Sequence, residues 1–116
     1  MSLHPTEIRY DQANQLLHIV FNDGQEADFP TPFLRGYCPC ARCQGHSGGP
    51  PQWIDITSAR QIVVEDVTQV GTYAICIVWG DGHDTGIYTF QKLHAMIPKL
   101  HALPPHERRF GPDAAR

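Results

Sequence analysis

The stretch YAICIVWGDGHDTGIYTFQKLHAMIPKL, residues 73–100, decides the fold. Tyr73 to Trp79 is almost continuously apolar, with β-branched Ile75, Ile77 and Val78, as a central strand covered on both faces should be. Gly80-Asp81-Gly82 is a turn, and Thr85 to Tyr88 is a short strand behind it. Thr89 can cap a helix, its hydroxyl accepting from exposed backbone amides. Leu93, Met96, Ile97 and Leu100 then recur at helical spacing, and Pro98 should bend or shorten that helix.

Upstream, Thr6–Tyr10 is a short strand and Leu16–Phe21 a stronger one. Asn22-Asp23-Gly24 supplies the residues that tolerate a tight hairpin, and Gln25–Phe29 returns. From Pro30 to Pro51, five prolines and four glycines mark irregular backbone. Order resumes at Gln61, where Ile62-Val63-Val64, Val67 and Val70 read as a strand ending at Gly71. The expected fold is α+β: a largely antiparallel β-sheet holding both Leu16–Phe21 and Tyr73–Trp79, an irregular cysteine-bearing loop, and one C-terminal helix packed on the sheet. Leu93, Met96, Ile97 and Leu100 should be the buried face of that helix. Residues 1–5 read as a tail, 6–103 as the domain, and 104–116 as a flexible, Pro-rich tail.

A chain of 116 residues is one domain by size and carries enough apolar residues, 41%, for one core. Its 9 Lys and Arg against 12 Asp and Glu give a net charge of −3, which argues against a protein held on nucleic acid by overall charge. No apolar run reaches the roughly 20 residues of a membrane span. The first residues lack a basic segment followed by an apolar one, so no secretory signal is expected and the cysteines are read for a reducing cytoplasm. There is no nucleophile elbow and no phosphate-binding loop.

Cys38-Pro39-Cys40-Ala41-Arg42-Cys43 places three thiols within six residues. The Cys-x-x-Cys half can bring two sulfurs onto one metal from a single turn, and zinc takes four ligands in a tetrahedron. A Cys-x-x-Cys redox pair, an iron–sulfur cluster and inert thiols are the competing readings; the redox pair is disfavoured because no βαβ unit precedes it. Cys76, mid-strand among Ile75, Ile77 and Val78, reads as packing. Two histidines compete for the fourth corner. His46 follows Cys43 by three residues, whereas His83 lies beyond the Gly80–Gly82 turn and would tie the loop to the sheet. Spacing alone does not choose between them.

The string Asp81-Gly82-His83-Asp84-Thr85-Gly86-Ile87-Tyr88 resembles the N-terminal domain of γ-butyrobetaine hydroxylase-like proteins, also found as a small bacterial domain of unknown function. The hairpin at Asn22-Asp23-Gly24 and the segment Phe33-Leu34-Arg35-Gly36-Tyr37 agree, and the resemblance runs from about Thr6 to Leu103. The cysteine string resembles the zinc-binding variant of the family. By position, the resemblance implies Cys38, Cys40, Cys43 and His83 as zinc ligands. Gly45-His46 is instead similar to members without the cysteines.

In the hydroxylases this domain precedes an iron- and 2-oxoglutarate-binding catalytic half. No histidine here is followed two residues later by Asp or Glu, as that half's metal triad needs, and the chain is too short to contain it. The resemblance therefore implies a non-catalytic, zinc-stabilised interaction or scaffold module. Its expected partner is a protein, an oxygenase or an iron–sulfur assembly ATPase, and neither nucleic acid nor membrane. The alternative is an iron–sulfur assembly accessory or thiol-redox protein.

Overall fold

The structure, a computed structural model, describes residues 3–39 and 52–108. Strands β1 (Pro5–Asp11), β2 (Leu16–Phe21) and β3 (Glu26–Pro30) form one antiparallel meander. Strands β4 (Val64–Val70), β5 (Ala74–Trp79) and β6 (Gly86–Thr89) form a second. The α+β class stands, but the expected single sheet is corrected to two. Among the described residues no strand of one meander is paired with a strand of the other. Alternation dictates which face of a strand is buried, not which strand lies beside it.

Both sheets bury one face in a shared core. Leu17, Ile19 and Phe21 of β2 meet Ile75, Ile77 and Trp79 of β5 there, together with Phe29, Phe33, Tyr88 and Leu93. The β2–β3 turn lies where the sequence puts it, with Gly24 at φ +90° and the Asp23 carboxylate accepting from the Gln25 amide at 3.0 Å. The central strand β5 is less enclosed than its composition suggests. Its inward residues are buried, while Cys76 and Val78 on the other face are half-buried.

The stretch read as irregular from Pro30 instead begins with a helix, α1 (Thr31–Gly36). Pro32 sits in its first turn, where a missing amide costs nothing and the fixed φ suits the helix. The expected strand from Ile62 is shorter. Ala59–Ile62 is a 3-10 turn, capped by Ser58 and Gln61, and β4 starts at Val64.

Helix α2 (Phe90–Met96) starts as expected, with the Thr89 hydroxyl accepting from the Lys92 amide at 3.1 Å. At Pro98 it gives way to a 3-10 stretch, Ile97–Ala102. Leu93 is fully buried, and Met96, Ile97 and Leu100 pack on the rim of the core. Beyond Pro104, where the sequence suggests a frayed tail, Pro105–Arg108 forms one further helical turn, α3, packed against α1.

Candidate metal centre

The site is built where the end of α1 meets the turn after β5. Cys38 follows the helix, its amide donating to the Arg35 carbonyl at 3.1 Å, and its side chain is fully buried. His83 is 9% exposed, and its Nε2 lies 3.3 Å from the Cys38 Sγ. Forty-five residues of chain separate the two, so this contact is made by the fold. Cys40, Cys43 and the competing His46 lie outside the described residues.

An ion pair that joins the same two segments holds this geometry. Arg35 of α1 binds Asp81 through two parallel bonds, Nη1 to Oδ1 at 2.9 Å and Nη2 to Oδ2 at 3.0 Å. The guanidinium also donates to the Gln61 carbonyl at 3.0 Å and lies over the Trp79 ring. Fork-to-fork pairing of this kind fixes orientation as well as charge. The Arg35 hydrogen bond, aided by an amide bond from His83, holds the Asp81 carboxyl below its usual pKa despite partial burial. Asp81 thus grips Arg35 with its carboxylate and accepts from the His83 amide at 3.2 Å.

Three further residues of the string, Gly82, Gly86 and Tyr88, serve the same junction. Gly82 takes φ +90°, a conformation that L side chains resist, and lets the turn close with its amide on the Trp79 carbonyl at 2.9 Å. A Cβ on Gly86 would stand 2.8 Å from the Cys38 Sγ, so glycine makes room for the sulfur. The buried Tyr88 hydroxyl donates to the Leu34 carbonyl at 2.6 Å and ties β6 to α1. Asp81, His83, Gly86 and Tyr88 therefore each contact the segment from Leu34 to Cys38.

In the sequence these residues mark the family, but no local pattern there gives Arg35, Asp81, Gly86 or Tyr88 a task. The clustering of Asp81, Gly86 and Tyr88 in one short string was the available signal, and Arg35 stood in a separate one, Phe33–Tyr37. Cys76 stands apart: its thiol donates to the Asp84 carbonyl at 3.1 Å, and burial, with the Asp84 charge nearby, raises its pKa. A thiol kept protonated suits packing rather than ligation.

The donor set suits zinc. Tetrahedral Zn–S and Zn–N bonds of about 2.3 and 2.0 Å put adjacent sulfur and nitrogen corners about 3.5 Å apart. The observed Cys38–His83 separation of 3.3 Å is close to that edge. Among the described residues alone, no group of three or more His, Cys, Asp or Glu could hold a metal. Completing a shell from this pair therefore calls on residues outside that set.

No curated protein matches the chain. Its fold is similar to the crystal structure of a protein of unknown function from Acidithiobacillus ferrooxidans ATCC 23270, of the DUF971 family. The two share 30% identity and a TM-score of 0.60, over 79% of this chain and 90% of that one. Two solution NMR structures are also similar. One has a TM-score of 0.70 at 29% identity, over 85% of this chain and 72% of its own. The other has 0.55 at 27% identity, over 82% and 73%. The profile of the γ-butyrobetaine hydroxylase-like N-terminal family matches residues 8–94, a span that includes α1, Cys38 and the whole Asp81–Tyr88 string. The chain belongs to the γ-butyrobetaine hydroxylase-like N-terminal family.

Proposed function

We propose that the chain is a non-catalytic, zinc-stabilised protein-interaction or scaffold module of the cytoplasm. Cys38, Cys40, Cys43 and His83 would hold one zinc, and the partner would be a protein, an oxygenase or an iron–sulfur assembly ATPase. The observation that carries the reading is the buried approach of Cys38 Sγ to His83 Nε2 across two distant segments. Bound zinc supplies a cross-link there, between the cysteine-bearing segment and the second sheet. Three thiolates and one imidazole close a tetrahedral shell, and a closed shell has no position for water or substrate. No helix among the described residues is long and apolar enough to cross a membrane.

The test is elemental analysis of protein purified without added metal, followed by competitive zinc titration of two variants. About one zinc per chain is expected, in line with a single tetrahedral site. His83→Ala should weaken binding and His46→Ala should leave it intact. Loss of zinc in His46→Ala with retention in His83→Ala would move the fourth ligand into the loop. A brown anaerobic preparation carrying iron would favour the iron–sulfur accessory instead, and absence of both metals would remove the metal reading. Affinity capture from the native cell, with metal measured on the same sample, tests the partner.

A further inference from the structure

We propose that the C-terminal turn α3 is a clasp that keeps Cys38 in its buried place, so that detaching this one turn releases the thiol while both sheets stay folded. The turn touches Tyr37, the residue before the cysteine, and Trp53, which covers Gly36. Glu107 of α3 is only 8% exposed, although carboxylates are rarely buried without a specific neighbour. The Glu107 carboxylate accepts a hydrogen bond from the Tyr37 phenol and lies 3.5 Å from the His106 Nε2. His106 meets the Trp53 ring edge-on at 5.2 Å, and Trp53 in turn meets Tyr37 at 5.4 Å. Trp53 also covers Gly36, where any Cβ would run into its ring, and the Ile54 amide donates to the Gly36 carbonyl at 2.9 Å. Gly36 and Tyr37, at the end of α1 and just before Cys38, are thus held by the segment at 53–54, and α3 contacts both Tyr37 and Trp53.

The clasp is detachable because it has little stability of its own. A helix of four residues cannot sustain itself in water, so α3 is helical only while docked. Short elements with few buried apolar contacts open locally, well below the cost of global unfolding. The two sheets take their stability from the shared core, to which α3 adds no residue. Leu103, the last core residue before it, marks the natural boundary between the two.

The inference builds on the placement of Cys38 and is tested without metal, so its failure and the failure of the zinc reading are distinguishable. Reduced, metal-free protein is treated with iodoacetamide, and alkylation is followed at each cysteine by peptide mass spectrometry. Three forms are compared: the full chain, a chain ending at Leu103, and the full-length double variant His106→Ala with Glu107→Ala. Cys38 should react about ten-fold faster in the truncated chain, as expected for loss of local closure, and to a lesser degree in the double variant. Cys76, on the outer face of β5, should react at an unchanged rate. The clasp is overturned if Cys38 is unaffected in both altered forms, or if Cys38 and Cys76 accelerate together, which would mean general unfolding. If the truncated chain does not fold, the clasp confined to one turn is wrong.

Discussion

At the scale of single residues, the junction depends on one missing side chain and one charge pair. Gly86→Ala would bring a methyl group to 2.8 Å from the Cys38 sulfur, so the thiol has to move away from its place beside His83. Overpacking of this kind costs about 1–3 kcal/mol, to be read as a lower urea midpoint with unchanged slope. Asp81→Ala leaves the guanidinium of Arg35, itself 9% exposed, without its carboxylate. Stranding a buried charge costs about 3 kcal/mol, whereas Glu65→Ala on the exposed side of β4 should stay within about 0.5 kcal/mol. In a double-mutant cycle, Arg35→Ala with Asp81→Ala should cost clearly less than the sum of the two single changes. Additive costs would show that the pair does not couple α1 to the turn after β5.

At the scale of elements, two contacts hold the helices to the second sheet. The Thr89 hydroxyl caps α2, and Thr89→Ala should cost about 1 kcal/mol, measured by chemical denaturation. Tyr88→Phe removes the donor to the Leu34 carbonyl inside the core. It should cost about 1–2 kcal/mol and speed amide exchange in α1 more than in α2. Equal effects on both helices would mean that the hydroxyl is not what ties α1 to β6. Helix α1 also shows how a local signal misleads. Pro30 and Pro32 suggest irregular backbone, yet Pro32 falls in the first helical turn, the one place in a helix where proline is at home. The periodicity of Phe33 and Leu34 is too short to announce a helix by itself, and both are buried only because two sheets close over them.

For the whole molecule, the question is what survives without the metal proposed for it. Each sheet has its own hydrogen-bonded ladder, and the shared core is complete from Leu17 to Leu103. Chelation should therefore leave the far-ultraviolet circular dichroism nearly unchanged and lower the melting temperature, because a ligand bound only by the folded state stabilises it. Amide exchange should rise first at Tyr37–Cys38 and at Trp53–Ile54, next to the proposed ligands. Collapse of the circular dichroism on chelation would instead make the metal a condition of folding, as it is in domains too small for a core.

The strands β2, β3, β5 and β6, the Asp23-Gly24 turn and the Thr89 cap were legible in the sequence, because each rests on alternation, turn chemistry or capping within a few residues. The cysteine string and the Asp81–Tyr88 string were equally visible, and with them the family. The tertiary structure alone decided that the strands divide into two sheets, since a strand's pattern does not name its neighbour. The family resemblance already implied that Cys38 and His83 meet, but the tertiary structure alone gave Arg35 and Asp81, Gly86 and Tyr88 their tasks, because those contacts span 46 to 54 residues of chain. Contacts at such separation are made by packing of the shared core, and no local rule in the sequence reaches that far.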